Sequence, residues 1–120
     1  MRESEQRYRA LAESAQDFIF TIDKEGCVQY VNKFSADEFG VDADGMIGKP
    51  MVELFPPDTS TVQWEDIQKV FQSGHLLKDI EHITKFPQRD LWLNTSLIPL
   101  KCDNGEVKEV RGISRDMTEH

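Results

Sequence analysis

The sequence predicts an α+β domain in which a five-stranded antiparallel sheet carries short helices on one face. Runs rich in aromatic and β-branched residues, which favour strands, lie toward both ends of the chain and are joined by short turns. Segments whose apolar residues recur at helical spacing lie between these runs. Short turns join antiparallel strands, and such a sheet leaves one face for the intervening helices to cover.

The N-terminal segment is predicted to form a flanking helix over residues 1–16. Its apolar side chains fall at helical spacing, on Tyr8, Leu11, Ala12 and Ala15. This stripe is thin, so the helix has too few large side chains to be stable by itself. We expect it to dock on the exposed face of the sheet and to help form a parallel homodimer.

Two strands are predicted over 17–23 and 27–32, because both runs are rich in aromatic or β-branched residues. Gly26 lies in the turn between them, where a positive φ is needed. A short helix is predicted over 33–39, because Asn32 can cap its first turn.

The middle of the chain is predicted to hold one short helix and one longer helix. Glycines and prolines interrupt residues 41–57, so that only a one-turn helix over 51–55 fits there. The longer helix is predicted to begin at Asp58 or Ser60 and to end at Gly74. Its apolar stripe consists of Trp64, Ile67 and Phe71.

A third strand is predicted over 76–86, and a closing hairpin is predicted over 91–100 and 107–114. Asn104 and Gly105 lie in the hairpin turn, and this pair tolerates the positive φ that a tight turn requires. These three strands complete the five-stranded sheet.

The hairpin is followed by a pattern typical of a helix start. Asp116 precedes Glu119 by three residues, which is a variant of the capping box. We expect residues 117–120 to begin a helix that leaves the domain toward another part of a longer protein.

The charge of the chain argues against two classes of partner. There are 22 Asp and Glu residues against 14 Lys and Arg residues, which gives a net charge of -8. Nucleic acid phosphates need clustered cations, so we expect no nucleic acid partner, and an acidic surface favours no direct contact with an anionic membrane. The sequence contains neither an apolar run of about 20 residues nor a signal-peptide pattern.

Two cysteines, Cys27 and Cys102, are far apart in the chain and form no CxxC motif. This usage is typical of free thiols in a reducing compartment. We therefore predict a cytoplasmic location.

Several short stretches carry a resemblance to a known family. They are, in chain order, Tyr8–Leu11, Ser14–Ala15, Asp17–Asp23, Tyr30–Asn32, Phe39–Gly40, Ile47–Pro50, Leu54–Pro56, Trp92–Leu93, Ser96 and Gly112–Glu119. No single stretch is specific, but in this order and at this spacing they resemble a PAS domain, the sensor module common in bacterial and archaeal signalling proteins. One departure is the turn before the fourth strand, Pro87–Asp90, where the family usually carries Asp-Gly.

The resemblance implies a PAS core over 17–116, with a ligand cavity between the helices and the sheet. The candidate cavity residues are Phe55, Ile67, Phe71, Leu93, Thr95, Leu97, Val110 and Gly112. Gly112 is expected to leave space where a ligand or a helix comes close. Trp92 and Ile113 are expected to face the other side of the sheet, toward the N-terminal helix or a second subunit.

The resemblance also implies a function. We predict a sensory module, itself not an enzyme, of a signal-transduction protein, with a sensor histidine kinase favoured over a diguanylate cyclase or a transcription regulator. The module would sense a small ligand in the cavity and relay the signal through Asp116 and Thr118 to a covalently linked output domain. Two alternatives stay open, a ligand-free dimerisation module and a haem-type redox sensor.

The sequence identifies no cofactor. Haem-binding relatives take an axial histidine from the long helix, but residues 58–73 contain none, and His75 and His82 lie beyond it. Light-sensing relatives carry an Asn-Cys-Arg-Phe-Leu motif where this chain has Pro50–Leu54, which argues against flavin. Asp42–Gly45 lacks the first and twelfth ligands of a calcium loop, so no metal site is predicted.

Overall fold

One antiparallel sheet of five strands organises the protein. The computed structural model describes residues 16–55, 57–86 and 88–117. The strands are β1 (Phe18–Asp23), β2 (Val28–Val31), β3 (Leu77–Lys85), β4 (Asp90–Lys101) and β5 (Val107–Asp116). They lie in the order β2-β1-β5-β4-β3, so β5 is the central strand. Each pairing is antiparallel, and the predicted sheet is confirmed.

Four helices lie between β2 and β3 in the described part of the chain. They are α1 (Lys33–Phe39), α2 (Ala43–Met46), α3 (Met51–Leu54) and α4 (Pro57–Ser73). The longest helix, α4, packs against β3, β4 and β5, while α1 packs against β1. The predicted bounds of α1 are confirmed.

The prediction of a single short helix within residues 41–57 is wrong, because α2 forms there as well. Gly45 lies within α2 and lowers its helix propensity, which is why the sequence did not indicate a helix. Burial compensates for that propensity, since Met46 is 1% exposed and belongs to the main core cluster. The N–H of Ile47 donates to the carbonyl of Ala43 at 3.3 Å and closes the turn.

Two predicted elements lie almost wholly outside the described residues. Of the flanking helix predicted over 1–16 and the linker helix predicted over 117–120, only Gln16 and Met117 are described. Asp116, which is predicted to cap the linker helix, is the last residue of β5. A strand residue is compatible with that role, because N-cap residues have extended φ and ψ.

Asn32 joins β1 to α1 and is completely buried. Its side-chain oxygen accepts a hydrogen bond from the N–H of Ser35 at 3.1 Å, which confirms the predicted cap of α1. The same oxygen accepts from the N–H of Ile19 at 3.2 Å, and its amide nitrogen donates to the carbonyl of Asp17 at 2.8 Å. One side chain therefore fixes the first described helix against the first strand.

The ring of Phe20 lies directly over Gly112 of the central strand. The two residues are cross-strand partners in β1 and β5. A Cβ atom built on Gly112 would lie 2.1 Å from Cζ of Phe20, far inside van der Waals contact. Glycine is therefore required at this position by the close approach of a ring to the backbone.

We predict that Gly112→Ala destabilises the domain by roughly 1–3 kcal/mol, because the new methyl group displaces the Phe20 ring within a filled core. Gly45→Ala is the matched control, since nothing lies within 4 Å of a Cβ atom at Gly45 and the residue is helical. The control is expected to keep or raise the midpoint of urea denaturation. A Gly112→Ala variant with the wild-type midpoint would contradict the packing of Phe20.

Candidate ligand-binding site

A small space between the sheet and the helices, the inner cavity, is the first candidate site. Its volume is about 30 Å³, which is room for about two water molecules. Of the eleven described side chains that line it, five are phenylalanines and none is charged. An uncharged, largely aromatic lining suits a neutral occupant with apolar surface.

The five phenylalanines form a continuous chain of ring contacts, the ring wall. Phe18 stacks on Phe86 with ring centroids 5.0 Å apart, and Phe86 contacts Phe39 at 4.9 Å. Phe39 stacks on Phe55 at 5.1 Å, and Phe55 meets Phe20 edge to face at 6.3 Å. Aromatic pairs attract at these distances, so the chain of rings that begins and ends on β1 is held by its own contacts.

A second, more open space, the outer cleft, borders the ring wall and has a volume of about 560 Å³. Phe39, Phe55 and Phe86 line both the outer cleft and the inner cavity. Glu53 and Lys85 also line the outer cleft, which is therefore the more polar of the two spaces. Three rings thus stand between the interior and a charged cleft.

Five polar side chains from α4, β3, β4 and β5 form a connected set, the polar network. Nε2 of His82 lies 2.9 Å from Oγ1 of Thr95 and 3.4 Å from Nε2 of Gln63. Nδ1 of His82 lies 3.0 Å from Oγ1 of Thr84, and Oγ1 of Thr95 lies 2.6 Å from Oγ of Ser114. Because Gln63, Thr84 and Ser114 line the inner cavity, the network supplies most of its polar lining.

His82 is neutral in the folded protein near pH 7. Burial lowers the pKa of its imidazole, and the negative charge of Asp66 opposes this effect only in part. A neutral imidazole carries one N–H, so one ring nitrogen donates and the other accepts. The position of that one proton therefore decides which ring nitrogen of His82 donates in its contacts with Gln63, Thr84 and Thr95.

Three of the sequence-predicted cavity residues lie at this site. Phe55 and Leu93 line the inner cavity. Thr95 does not line it but belongs to the polar network, where it bridges His82 and Ser114. Leu93 and Thr95 lie on the helix-facing side of β4, and Phe55 lies in the segment after α3, so the structure brings all three together.

The other predicted cavity residues lie in packed core. Ile67, Leu97 and Val110 are buried in the main core cluster, and Phe71 packs against that cluster. Gly112 was expected to leave space for a ligand or a helix, but a phenylalanine ring of β1 fills this space. The ring of Phe20 therefore occupies the space expected at Gly112, while the role of the other four residues in ligand binding stays a prediction.

The sequence does not predict most of the ring wall, nor Gln63. Phe18 and Phe20 are two residues apart in a strand and share a face, so the strand period is a signal that could have found them. Gln63 lies one helical turn before Ile67, on the stripe of α4 that is buried. The remaining rings come from distant segments that no local pattern brings together.

Within residues 16–55, 57–86 and 88–117, no three His, Cys, Asp or Glu side chains are grouped closely enough to hold a metal ion. His75 is exposed, and the ring of His82 is hydrogen-bonded within the polar network. In the same described ranges, no helix has the length and apolar character needed to cross a membrane.

Comparison with known proteins identifies the family. A family model for the PAS fold matches residues 12–120, which is most of the chain. The chain belongs to the PAS fold family. A PAS domain of a protein from Colwellia psychrerythraea superposes with a TM-score of 0.79 and 20% sequence identity, over 98% of this chain and 99% of that one.

Two curated proteins contain a segment homologous to this PAS domain. The two-component sensor PprA of Pseudomonas aeruginosa is 29% identical over 118 residues, which is 97% of this chain. The methanogenesis regulatory histidine kinase FilI of Methanothrix harundinacea is 26% identical over 116 residues, also 97% of this chain. The chain spans 13% of the length of each of these two proteins.

We predict that His82 makes the stability of this PAS domain depend on pH. The pKa of His82 is lower in the folded protein than its ordinary value of 6.5. As the pH falls below about 6.5, the unfolded chain therefore binds a proton that the folded protein does not yet bind. The free energy of unfolding therefore decreases between that pH and the folded pKa. Because the imidazole of His82 is partly exposed and screened by solvent, its pKa shift is limited. The free energy of unfolding therefore changes by less than the one-proton limit of about 1.4 kcal/mol per pH unit.

Urea denaturation of the wild type and of His82→Gln, from about pH 7.5 down to 5, measures this contribution. The variant is expected to lose less stability than the wild type over this range. His75→Gln is the control, because His75 is exposed, and it should keep the wild-type pH dependence. Parallel curves for the wild type and His82→Gln would show that His82 is not held neutral.

Proposed function

We propose that this PAS domain is the sensory module of a signal-transduction protein, a sensor histidine kinase, and that the inner cavity binds a small molecule. The observation that carries the proposal is the inner cavity, which is lined by the ring wall and by members of the polar network. Homology to segments of a two-component sensor and a histidine kinase supports the choice of protein. The kinase itself would lie outside this domain.

In this proposal the domain catalyses no reaction. Its polar network consists of neutral groups that bond to one another, and we assign them a part in binding. Enzyme activity would belong to a covalently linked output domain, which receives the signal.

We propose that the signal leaves the inner cavity along β4 and β5. Leu93 lines the cavity, and its register partner in β5 is Asp116, the last residue of that strand. The N–H of Met117 donates to the carbonyl of Trp92, the neighbour of Leu93, at 2.7 Å. A shift of Leu93 on binding would therefore act directly on the strand end. Asp116, and Thr118 outside the described residues, are the proposed relay residues.

We also propose a homodimer formed through residues 1–16 and the face of the sheet opposite the helices. On that face, Ile83 and Trp92 are cross-strand partners, 67% and 45% exposed. Ile113 is half-buried and lies on the same face. Clustered apolar side chains on a sheet face are typical of a protein contact. A ligand-free dimerisation module, the second candidate function, rests on this surface.

The proposed location is the cytoplasm. Cys27 and Cys102 are both free, and Cys102 is exposed, which is compatible with a reducing compartment. No cofactor is assigned.

Native mass spectrometry of the purified domain tests ligand sensing. We expect a bound small molecule that raises the melting temperature when it is added back to the empty domain. Leu93→Phe is expected to fill the inner cavity and abolish this rise. Leu97→Phe is the matched control, because Leu97 is 2% exposed in the main core cluster. It should lose roughly 1–3 kcal/mol by overpacking and still bind.

Two results would count against the proposal. Undiminished uptake of the molecule by Leu93→Phe would mean that the ligand binds elsewhere. If the wild type carries no small molecule and no compound of a metabolite library raises its melting temperature, ligand sensing is wrong. A dimer detected by light scattering in that sample would then favour the dimerisation module.

A further inference from the structure

The outer cleft is open to solvent, yet most of the side chains that line it are apolar. Its volume of about 560 Å³ lies within the range of roughly 300–1,000 Å³ that is typical of small-molecule pockets. Phe39, Phe55 and Phe86 line it from the ring wall, and Val41 and Leu54 line it from the helical segment. Val41 is 47% exposed although it is apolar. The cleft therefore offers apolar surface that a ligand would remove from water.

Two exposed side chains of opposite charge line the same cleft. Glu53 belongs to α3, and Lys85 is the last residue of β3. Within the described part of the chain, neither of them makes an ion pair, with the other or with a third residue. Asp90 is the cross-strand partner of Lys85 in β4, but these two residues are not ion-paired either. Both charges are therefore available to a ligand.

The nearest charges beside the ring wall are already committed to each other. Arg89 donates to the carboxylate of Glu38, the residue before Phe39, at 2.6 Å. Among the described residues that line the outer cleft, the charged groups are one carboxylate and one ammonium. A ligand with a single charge would complement one of them, whereas a zwitterion with an apolar side chain complements both and also the apolar lining.

We propose that the outer cleft binds a free amino acid with a large apolar side chain. Its ammonium group pairs with Glu53, its carboxylate pairs with Lys85, and its side chain covers the exposed apolar surface. This inference goes beyond the proposed function, because the outer cleft lies on the other side of the ring wall from the inner cavity. Exposed ion pairs contribute little, so the apolar contact supplies most of the affinity and the charges supply the selectivity.

Titration of the isotope-labelled domain, followed by amide NMR, tests this ligand class with four probes. They are L-phenylalanine, N-acetyl-L-phenylalanine, which lacks the ammonium charge, L-phenylalaninamide, which lacks the carboxylate, and glycine, which lacks the side chain. L-phenylalanine is expected to bind roughly two- to fivefold more tightly than either derivative, the value of one exposed ion pair. Glycine is expected not to bind. The backbone amide signals of Leu54, Phe55 and Phe86 are expected to shift.

Substitution of each charged residue assigns the two contacts. Glu53→Gln is expected to weaken L-phenylalanine by the same two- to fivefold but not to weaken the N-acetyl derivative, which has no ammonium group to lose a partner. Lys85→Gln should weaken L-phenylalanine and not the amide derivative, for the corresponding reason. Glu81→Gln and Lys78→Gln are the matched controls, because both residues are exposed on β3 and do not line the cleft. They should keep the wild-type affinities.

Four results would overturn the proposal. Equal affinities for L-phenylalanine and its two derivatives would show that the charges are not recognised. Glycine that binds as tightly as L-phenylalanine would show that the apolar surface is not used. Shifts confined to the opposite face of the sheet, around Trp92, would place the site elsewhere. If no probe binds at its solubility limit, the outer cleft is not an amino-acid site. None of these results depends on whether the inner cavity takes up a small molecule.

Discussion

The contact between the ring of Phe20 and the backbone of Gly112 determines how the helix-facing side of the sheet is built. Gly112 lies on the central strand, and any Cβ atom there would occupy the place of the ring. With the ring in that place, Phe20 meets Phe55 edge to face, and the contacts continue through Phe39 and Phe86 back to β1. Because Gly112 has no side chain, the central strand leaves room for the ring wall that bounds the inner cavity.

This construction divides the interior into parts with different physical properties. Leu97 and Val110 are buried in the main core cluster, where a change of volume is destabilising. Beside it, the inner cavity combines aromatic rings with a buried amide oxygen that has no partner within the described part of the chain. Leu93 borders the cavity and pairs with Asp116 at the strand end, so binding and signal output would share one strand pair. Coupling free energies of roughly 1–3 kcal/mol are enough for such regulation, and an N-cap at Asp116 would contribute about 1 kcal/mol.

Local patterns in the sequence were sufficient for the strands, the Asn32 cap and the faces of β4, because strand alternation and capping depend on neighbouring residues. They were not sufficient to decide which residues on the inner face border empty space. Leu93 and Leu97 have the same side chain on the same face, and only the position of the helices distinguishes them. The helix α2 was missed for a related reason, since burial of Met46 outweighs the low propensity of Gly45.

The exchange rate of the Met117 amide hydrogen tests most directly whether cavity and strand end are coupled. This N–H donates to Trp92 at 2.7 Å, beside the cavity residue Leu93. We expect ligand binding to change its protection by roughly 5- to 150-fold, the range for coupled sites. The N–H of Cys102, which donates to Glu106 at 2.8 Å in the hairpin turn, should exchange at an unchanged rate. Unchanged exchange at Met117 in a domain shown to hold its ligand would contradict the proposed coupling.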